Sequence, residues 1–191
     1  MNLKLLNLAL LAGGIAASSS LWAAGQTPAM LSNTCSACHG QFGQAVGPSI
    51  PTLAGQPAVY IADAMKKFKS GERPSTVMGR LAKAYSDDDF NAMGDFFSQQ
   101  KFLRYKQDVD AAKVAKGKEL HSQNCKKCHQ EDGRESEDGG VIAGQWFEYL
   151  QITMGDFLAK KRPMPKKMAE KFEGLSKDDV DALMHFYAGQ Q

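Results

Sequence analysis

The sequence predicts an all-α fold built from two tandem copies of one helical domain. Residues recur at a fixed distance: Met78 and Met168, Ser86 and Ser176, and Phe97 and Tyr187 lie 90 positions apart. With one residue deleted, Ala54-Gly55-Gln56 matches Ala143-Gly144-Gln145, Tyr60 matches Tyr149 and Phe68 matches Phe157. A period this long denotes duplicated domains, not a solenoid of short units. Apolar residues recur at helical spacing, and no run alternates apolar and polar residues as a half-buried strand does.

The elements follow in order. Lys4 is the only charge before residue 63; residues 5–17 are almost wholly apolar and residues 18–24 are mostly small and polar. This is the layout of a secretory signal, which we place at residues 1–25, with Ala23-Ala24-Gly25 offering small residues for cleavage. The apolar run falls short of the roughly 20 residues that span a bilayer, and no later stretch is apolar enough to do so. The expectation is an exported, periplasmic chain with no membrane span once mature. The alternative is a retained N-terminal anchor.

The two domains are expected at residues 26–104 and 105–191, joined by the polar, Gly- and Pro-free stretch 101–110. In the first domain Thr27 caps a helix with Pro28 at its first position, running into Cys35; its counterpart spans residues 111–125. Second helices are predicted over 58–69 and 147–160. The last helices open on Ser86-Asp87-Asp88-Asp89 and Ser176-Lys177-Asp178-Asp179, a cap plus first-turn carboxylates at the positive helix end. Apolar faces follow at Phe90, Met93 and Phe97, and at Val180, Leu183, Met184 and Tyr187. With 43% hydrophobic and 23% charged residues the chain is not disordered, and a net charge of +2 is too balanced for phosphate-driven nucleic-acid binding.

Four cysteines carry the chemistry, in Cys35-Ser36-Ala37-Cys38-His39 and Cys125-Lys126-Lys127-Cys128-His129. C-x-x-C-H is the attachment motif of c-type haem. Two thiols three apart on a helical turn reach the two vinyl groups on one porphyrin edge, and the next residue places its imidazole beneath the ring as proximal iron ligand. Zinc or disulfide readings of the pairs leave both histidines unexplained. The motifs therefore predict two covalent haem c groups, on Cys35/Cys38 and Cys125/Cys128, with His39 and His129 as proximal ligands.

Met78 and Met168 stand eight residues before the serine caps of the last helices and are the expected sixth ligands; Met164 is the rival in the second domain, without a partner at the repeat distance. Thioether ligation closes the iron to exogenous ligands, which suits electron transfer and argues against a dihaem peroxidase. His121 and His185 are expected to be surface or packing residues. A ligating histidine needs an acceptor for its other ring nitrogen. We expect the Pro48 carbonyl for His39; the second domain has Asp138-Gly139-Gly140 there and no proline, so another backbone carbonyl is expected to serve His129 and the two haems are expected to differ in potential.

With these motifs in place, the chain resembles the dihaem subunit of flavocytochrome c sulfide dehydrogenase over nearly its whole mature length. The stretches Asn33-Thr34-Cys35-Ser36-Ala37-Cys38-His39-Gly40, Lys69-Ser70-Gly71-Glu72, Val77-Met78-Gly79-Arg80, Ile142-Ala143-Gly144-Gln145-Trp146 and Arg162-Pro163-Met164-Pro165-Lys166-Lys167-Met168 carry the likeness. More broadly it is similar to the dihaem carriers of the cytochrome c-four group. The resemblance implies two class I cytochrome c-like domains, each enclosing one haem, with Met78 and Met168 as sixth ligands. It also implies a separate FAD-containing polypeptide that oxidises sulfide and passes its electrons to this chain.

The residues agree with that division of labour. The chain has no G-x-G-x-x-G fingerprint for a flavin and no spare cysteine to act on sulfide, so catalysis is expected on the partner. The alternative is a free dihaem carrier feeding a terminal oxidase. The weakly charged stretches 43–53 and 77–81, with Arg80 the only charge, nominate the first domain for flavoprotein docking. The run Lys160, Lys161, Arg162, Lys166, Lys167 and Lys171 is either a dock for a downstream electron acceptor such as a soluble cytochrome or a solvated face. Glu131, Asp132, Glu135, Glu137 and Asp138 read as a surface loop.

Overall fold

The computed structural model describes residues 26–136 and 139–191; the expected export segment, residues 1–25, lies outside them. Lobe one runs α1 (Pro28–Asn33), α2 (Ser36–His39), a 3₁₀ turn (Gln41–Gly43), α3 (Ala58–Ser70), α4 (Met78–Leu81), a second 3₁₀ turn (Ala82–Ala84) and α5 (Asp87–Ser98). Lobe two runs α6 (Ala111–Leu120), a π-helical turn (His121–Cys125), a 3₁₀ turn (Glu131–Gly133), α7 (Phe147–Leu158), α8 (Lys166–Phe172) and α9 (Lys177–Ala188). One feature departs from the all-helical expectation. The two-residue strands β1 (His129–Gln130) and β2 (Glu135–Ser136) pair antiparallel, with His129 opposite Ser136.

The capping signals hold at atomic level. The Thr27 hydroxyl accepts from Met30 N at 3.2 Å. Ser86 and Ser176 each form a full capping box, in which the serine oxygen accepts from the N–H of Asp89 or Asp179 and that carboxylate accepts from the serine N–H in return. The first helices break earlier than expected. α1 stops at Asn33, and the stretch expected to continue α6 widens into the π turn that ends on Cys125.

Each lobe closes by packing its first helix on its last: α1 on α5, with α3 against the same helix, and α6 on α9. Gly117 shows why the second crossing is close, because a Cβ there would meet Ala182 O and the Phe186 side chain. Lobe one's core gathers Leu31, Ile61, Met65, Phe90, Met93 and Phe97; lobe two's gathers Leu150, Leu183, Phe186 and Tyr187. A lobe of this size buries only a modest core, so burial of a large apolar group would add materially to stability.

The duplication extends to backbone hydrogen bonds. Gly43 O accepts from Leu53 N and Ala54 N, and Gly133 O from Ile142 N and Ala143 N. The step from a 90- to an 89-residue period therefore falls between Gly133 and Ile142.

The lobes meet through a reciprocal clamp made by the repeated A-G-Q segments. Gln145 reaches back to lobe one, where its amide accepts from Thr52 N (3.1 Å) and donates to Thr52 O (2.8 Å). Gln56 does the same to Val141, accepting from its N–H (2.8 Å) and donating to its C=O (2.9 Å). Both glutamines are buried, and each clamped residue is the repeat equivalent of the other. The glycine before each glutamine has a positive φ (69° at Gly55, 75° at Gly144) that turns the chain into the clamp.

Candidate haem sites

In lobe one, Cys35 is half-buried, Cys38 is exposed and His39 is buried at 7% exposure. Cys35 and Met78 pack against the same apolar cluster as Ile61, Met65 and Phe90. The motif's first thiol and the expected sixth ligand thus converge on one core. His39 Nδ1 lies 2.8 Å from the Pro51 carbonyl. A carbonyl only accepts, so this contact puts the proton on Nδ1 and leaves Nε2 free for iron. The acceptor differs from the expected one. Pro48 O is engaged by the backbone N–H of Tyr149, from lobe two, at 2.9 Å.

In lobe two, Cys125 is half-buried, Cys128 is exposed, and Cys125 packs against the Leu150, Leu183, Phe186 and Tyr187 cluster. His129 Nδ1 is buried with no hydrogen-bond partner among the described residues. Met168 is half-buried on α8 and does not join the core cluster; Met164, just before α8, is half-buried too. The lobes therefore support their proximal histidines unequally: the Pro51 carbonyl replaces the expected Pro48 carbonyl for His39, and the backbone carbonyl expected for His129 is not found among the described residues. Burial lowers the pKa of both His39 and His129, which favours the neutral imidazole that binds iron.

The four cysteines form no disulfide, and among the described residues no cluster of three or more His, Cys, Asp and Glu is arranged to hold a metal ion. His121 and His185 have partners of their own. His121 Nδ1 is 2.9 Å from the Tyr187 hydroxyl, while His185 accepts from Asp110 N at 3.2 Å and lies against Phe147.

Sequence reasoning missed a second feature, where the lobes meet. Arg73 is 9% exposed; it donates to the Tyr149 hydroxyl at 3.1 Å and covers the Phe68 ring. Arg162, its equivalent at the 89-residue distance, is half-buried and covers Phe157. Burial works to raise the Tyr60 phenol, but both guanidiniums, by charge and by hydrogen bonding, bring its pKa below the usual value. Burial and then the Arg73 charge lower Arg162 in turn. Neither arginine is ion-paired with a carboxylate among the described residues. Two guanidiniums facing two phenols with no anion form a costly arrangement that a carboxylate would relieve. The signal was legible: the same shifted period that matches Tyr60 to Tyr149 and Phe68 to Phe157 also matches Arg73-Pro74 to Arg162-Pro163.

Two helical lobes, each with a C-x-x-C-H motif on an apolar core and a histidine nitrogen free for iron, are the architecture of a covalent haem carrier. The chain belongs to the cytochrome c family, whose pattern matches residues 23–101 and again residues 114–188. Over 99% of both chains it is 30% identical to cytochrome c4 of Pseudomonas aeruginosa. Shorter likenesses reach the cytochrome subunit of sulfide dehydrogenase from Chlorobaculum tepidum (40% over 68 residues, 36% of this chain and 61% of that one). Another reaches a thiosulfate dehydrogenase electron acceptor of Stutzerimonas stutzeri (42% over 67 residues, 34% of this chain). The alignment spans only 31% of that acceptor's length. Among solved structures, reduced cytochrome c4 from Pseudomonas stutzeri superposes with a TM-score of 0.75 at 26% identity, over 88% of this chain and all of that one. The chain is thus a dihaem electron carrier similar to cytochrome c4. Among the described residues no helix is long and apolar enough to cross a membrane.

Proposed function

We propose that this chain is the periplasmic electron-accepting subunit of a sulfide dehydrogenase whose FAD and substrate site sit on a separate polypeptide. The observation that carries this reading is the pair of C-x-x-C-H motifs in a chain that shares a stretch of 40% identity with a sulfide dehydrogenase cytochrome subunit. A reduced flavin delivers two electrons, and two haem irons take one each. In this reading residues 1–25 direct export, and residues 26–104 and 105–191 form the two cytochrome domains.

When bound, each haem c supplies a one-electron iron couple. Cys35/Cys38 and Cys125/Cys128 hold the two groups as thioethers. His39 and Met78 ligate one iron, and His129 and Met168 the other. The Pro51 carbonyl fixes the His39 ring. The donor set of Arg73, Arg162, Tyr60 and Tyr149 fits haem carboxylates, which would neutralise the buried guanidiniums between the lobes.

The full-length likeness to cytochrome c4 favours a second reading, a freely diffusing carrier feeding a terminal oxidase. Native purification with identification of co-purifying chains and flavin separates the two. A flavoprotein that co-purifies and reduces both haems on adding sulfide supports the subunit role. A dihaem protein that purifies alone and stays oxidised when sulfide and flavoprotein are mixed with it supports the free carrier.

A further inference from the structure

The duplication lets the buried side of each motif be compared position by position, and one group of residues differs as a set. Lobe two carries His121, Asp132 and Tyr187 where lobe one, 90 positions earlier, has Leu31, Phe42 and Phe97. The backbone around them is alike. Phe42 and Asp132 share a φ of 56°, and a Cβ on the glycine that follows each would meet the Phe97 ring in lobe one and the Tyr187 ring in lobe two. Lobe one closes its crossing of first and last helices with Leu31 and Phe97 in one apolar cluster. The fold therefore does not need polar groups at these positions, and burying an imidazole and a phenol there costs desolvation that two apolar side chains avoid.

The three polar residues form a connected line from solvent to the motif. His121 is 2% exposed and opens the π turn that ends on Cys125. Its Nδ1 lies 2.9 Å from the Tyr187 hydroxyl. Its Nε2 lies 3.7 Å from the Asp132 carboxylate, close enough for an ion pair but longer than a hydrogen bond. Asp132 is the solvent end, with its side chain 44% exposed. Tyr187 is the inner end. Its hydroxyl hydrogen-bonds to the Cys125 sulfur, and its ring packs against both histidines, 5.6 Å from His121 and 6.3 Å from His129 between ring centres. The groups acting on His121 oppose one another. Burial favours the neutral imidazole, the Asp132 charge favours the imidazolium, and the Lys126 charge disfavours it. His121 and His129 disfavour charge on each other, and α9 faces His121 with Tyr187 and the Phe186 ring.

We propose that Asp132, His121 and Tyr187 form a redox-linked proton site, through which lobe two takes up a proton from water when it receives an electron and releases it when the electron leaves. This rests on the haem reading given above. A phenol has one proton to donate. With that proton directed to the Cys125 sulfur, the Tyr187 oxygen accepts from His121 Nδ1–H, which leaves Nε2 as the open basic nitrogen facing Asp132. The added electron reduces the positive charge nearby, so the imidazolium becomes easier to form. Nε2 then takes the proton at the solvent end and pairs with the carboxylate. The balance is one electron from the donor, a reduced flavin in the reading above, and one proton from water. Leu31 and Phe97 bind no proton, so lobe one passes an electron alone.

The test uses the holoprotein, with both haem additions and the methionine-to-iron band checked first, so that failure of the haem reading shows up separately. The two potentials are followed across the pH range in which histidine titrates. One should fall more steeply than the other as the pH rises. Independently, nitrogen-labelled NMR should show His121 binding protons roughly tenfold more tightly in the reduced protein than in the oxidised one. His121→Leu/Tyr187→Phe copies the closure that lobe one already uses; it should retain both haems and remove the steeper fall. Asp132→Asn suits the left-handed turn and removes the carboxylate, so the transition should move to lower pH by about one unit. That variant carries the test if the double variant fails to acquire haem. The proposal is overturned by an undiminished fall in the double variant, by equal His121 proton affinity in the two oxidation states, or by a transition that Asp132→Asn leaves in place. Equal flattening of both potentials would also overturn it, because the effect would then belong to the whole molecule and not to lobe two.

Discussion

At the scale of single residues, the lobes share a motif but not its support. His39 is held by Pro51, whereas His129 Nδ1 is buried without a partner among the described residues. Met78 packs into the core that receives Cys35, whereas Met168 sits outside its lobe's cluster. The sixth-ligand assignments are tested by substitution in the holoprotein. Met78→Ala and Met168→Ala should each remove half of the near-infrared methionine-to-iron band and lower one of the two potentials. If Met164→Ala alters the band while Met168→Ala leaves it intact, the lobe-two ligand is Met164. Lobe two is where the choice matters, because both methionines are half-buried at the same end of α8.

At the scale of elements, the last helix of each lobe depends on its first turn. Ser86→Ala and Ser176→Ala should each lower stability by about 1 kcal/mol, read from chemical denaturation of the holoprotein. The capping carboxylates add a pH dependence. Hydrogen bonds from the Ser86 backbone and then its side chain lower the pKa of Asp89. Lys116, followed by Ser176, lowers that of Asp179. A carboxyl depressed by folding contributes stability that is fully present above its unfolded value and is lost as the pH falls toward the folded value. The stability gap between wild type and Asp179→Asn should therefore be constant near neutral pH and close progressively below the ordinary value of 3.8. A gap that persists at the lowest pH would mean that the carboxylate's charge does not stabilise α9.

At the scale of the molecule, two glutamines join the lobes, each closing two hydrogen bonds on buried backbone of the other lobe. Gln56→Ala or Gln145→Ala leaves a buried N–H and C=O without partners, which should cost about 1–3 kcal/mol. The two losses should not be additive, because opening either clamp admits water to the other. Denaturation of the single and double variants measures this; strictly additive losses would mean that the lobes are held elsewhere. The same junction contains Arg73, Arg162, Tyr60 and Tyr149, so a loosened clamp should also perturb both haem spectra.

The sequence alone determined what is local. Two C-x-x-C-H motifs identify their chemistry by spacing along one helical turn, serine caps announce their helices within four residues, and a 90-residue period reveals the duplication. The tertiary structure decided which groups meet across long separations. It gave His39 to Pro51 and Pro48 to Tyr149, turned Arg162 from the expected basic face into the lobe junction, and converted the repeated A-G-Q into a clamp. The physical reason is that a buried polar group takes whichever partner the packing brings within hydrogen-bond range. At separations of 85 to 93 residues, as for the two clamps, that choice belongs to the closed fold and not to the local chain.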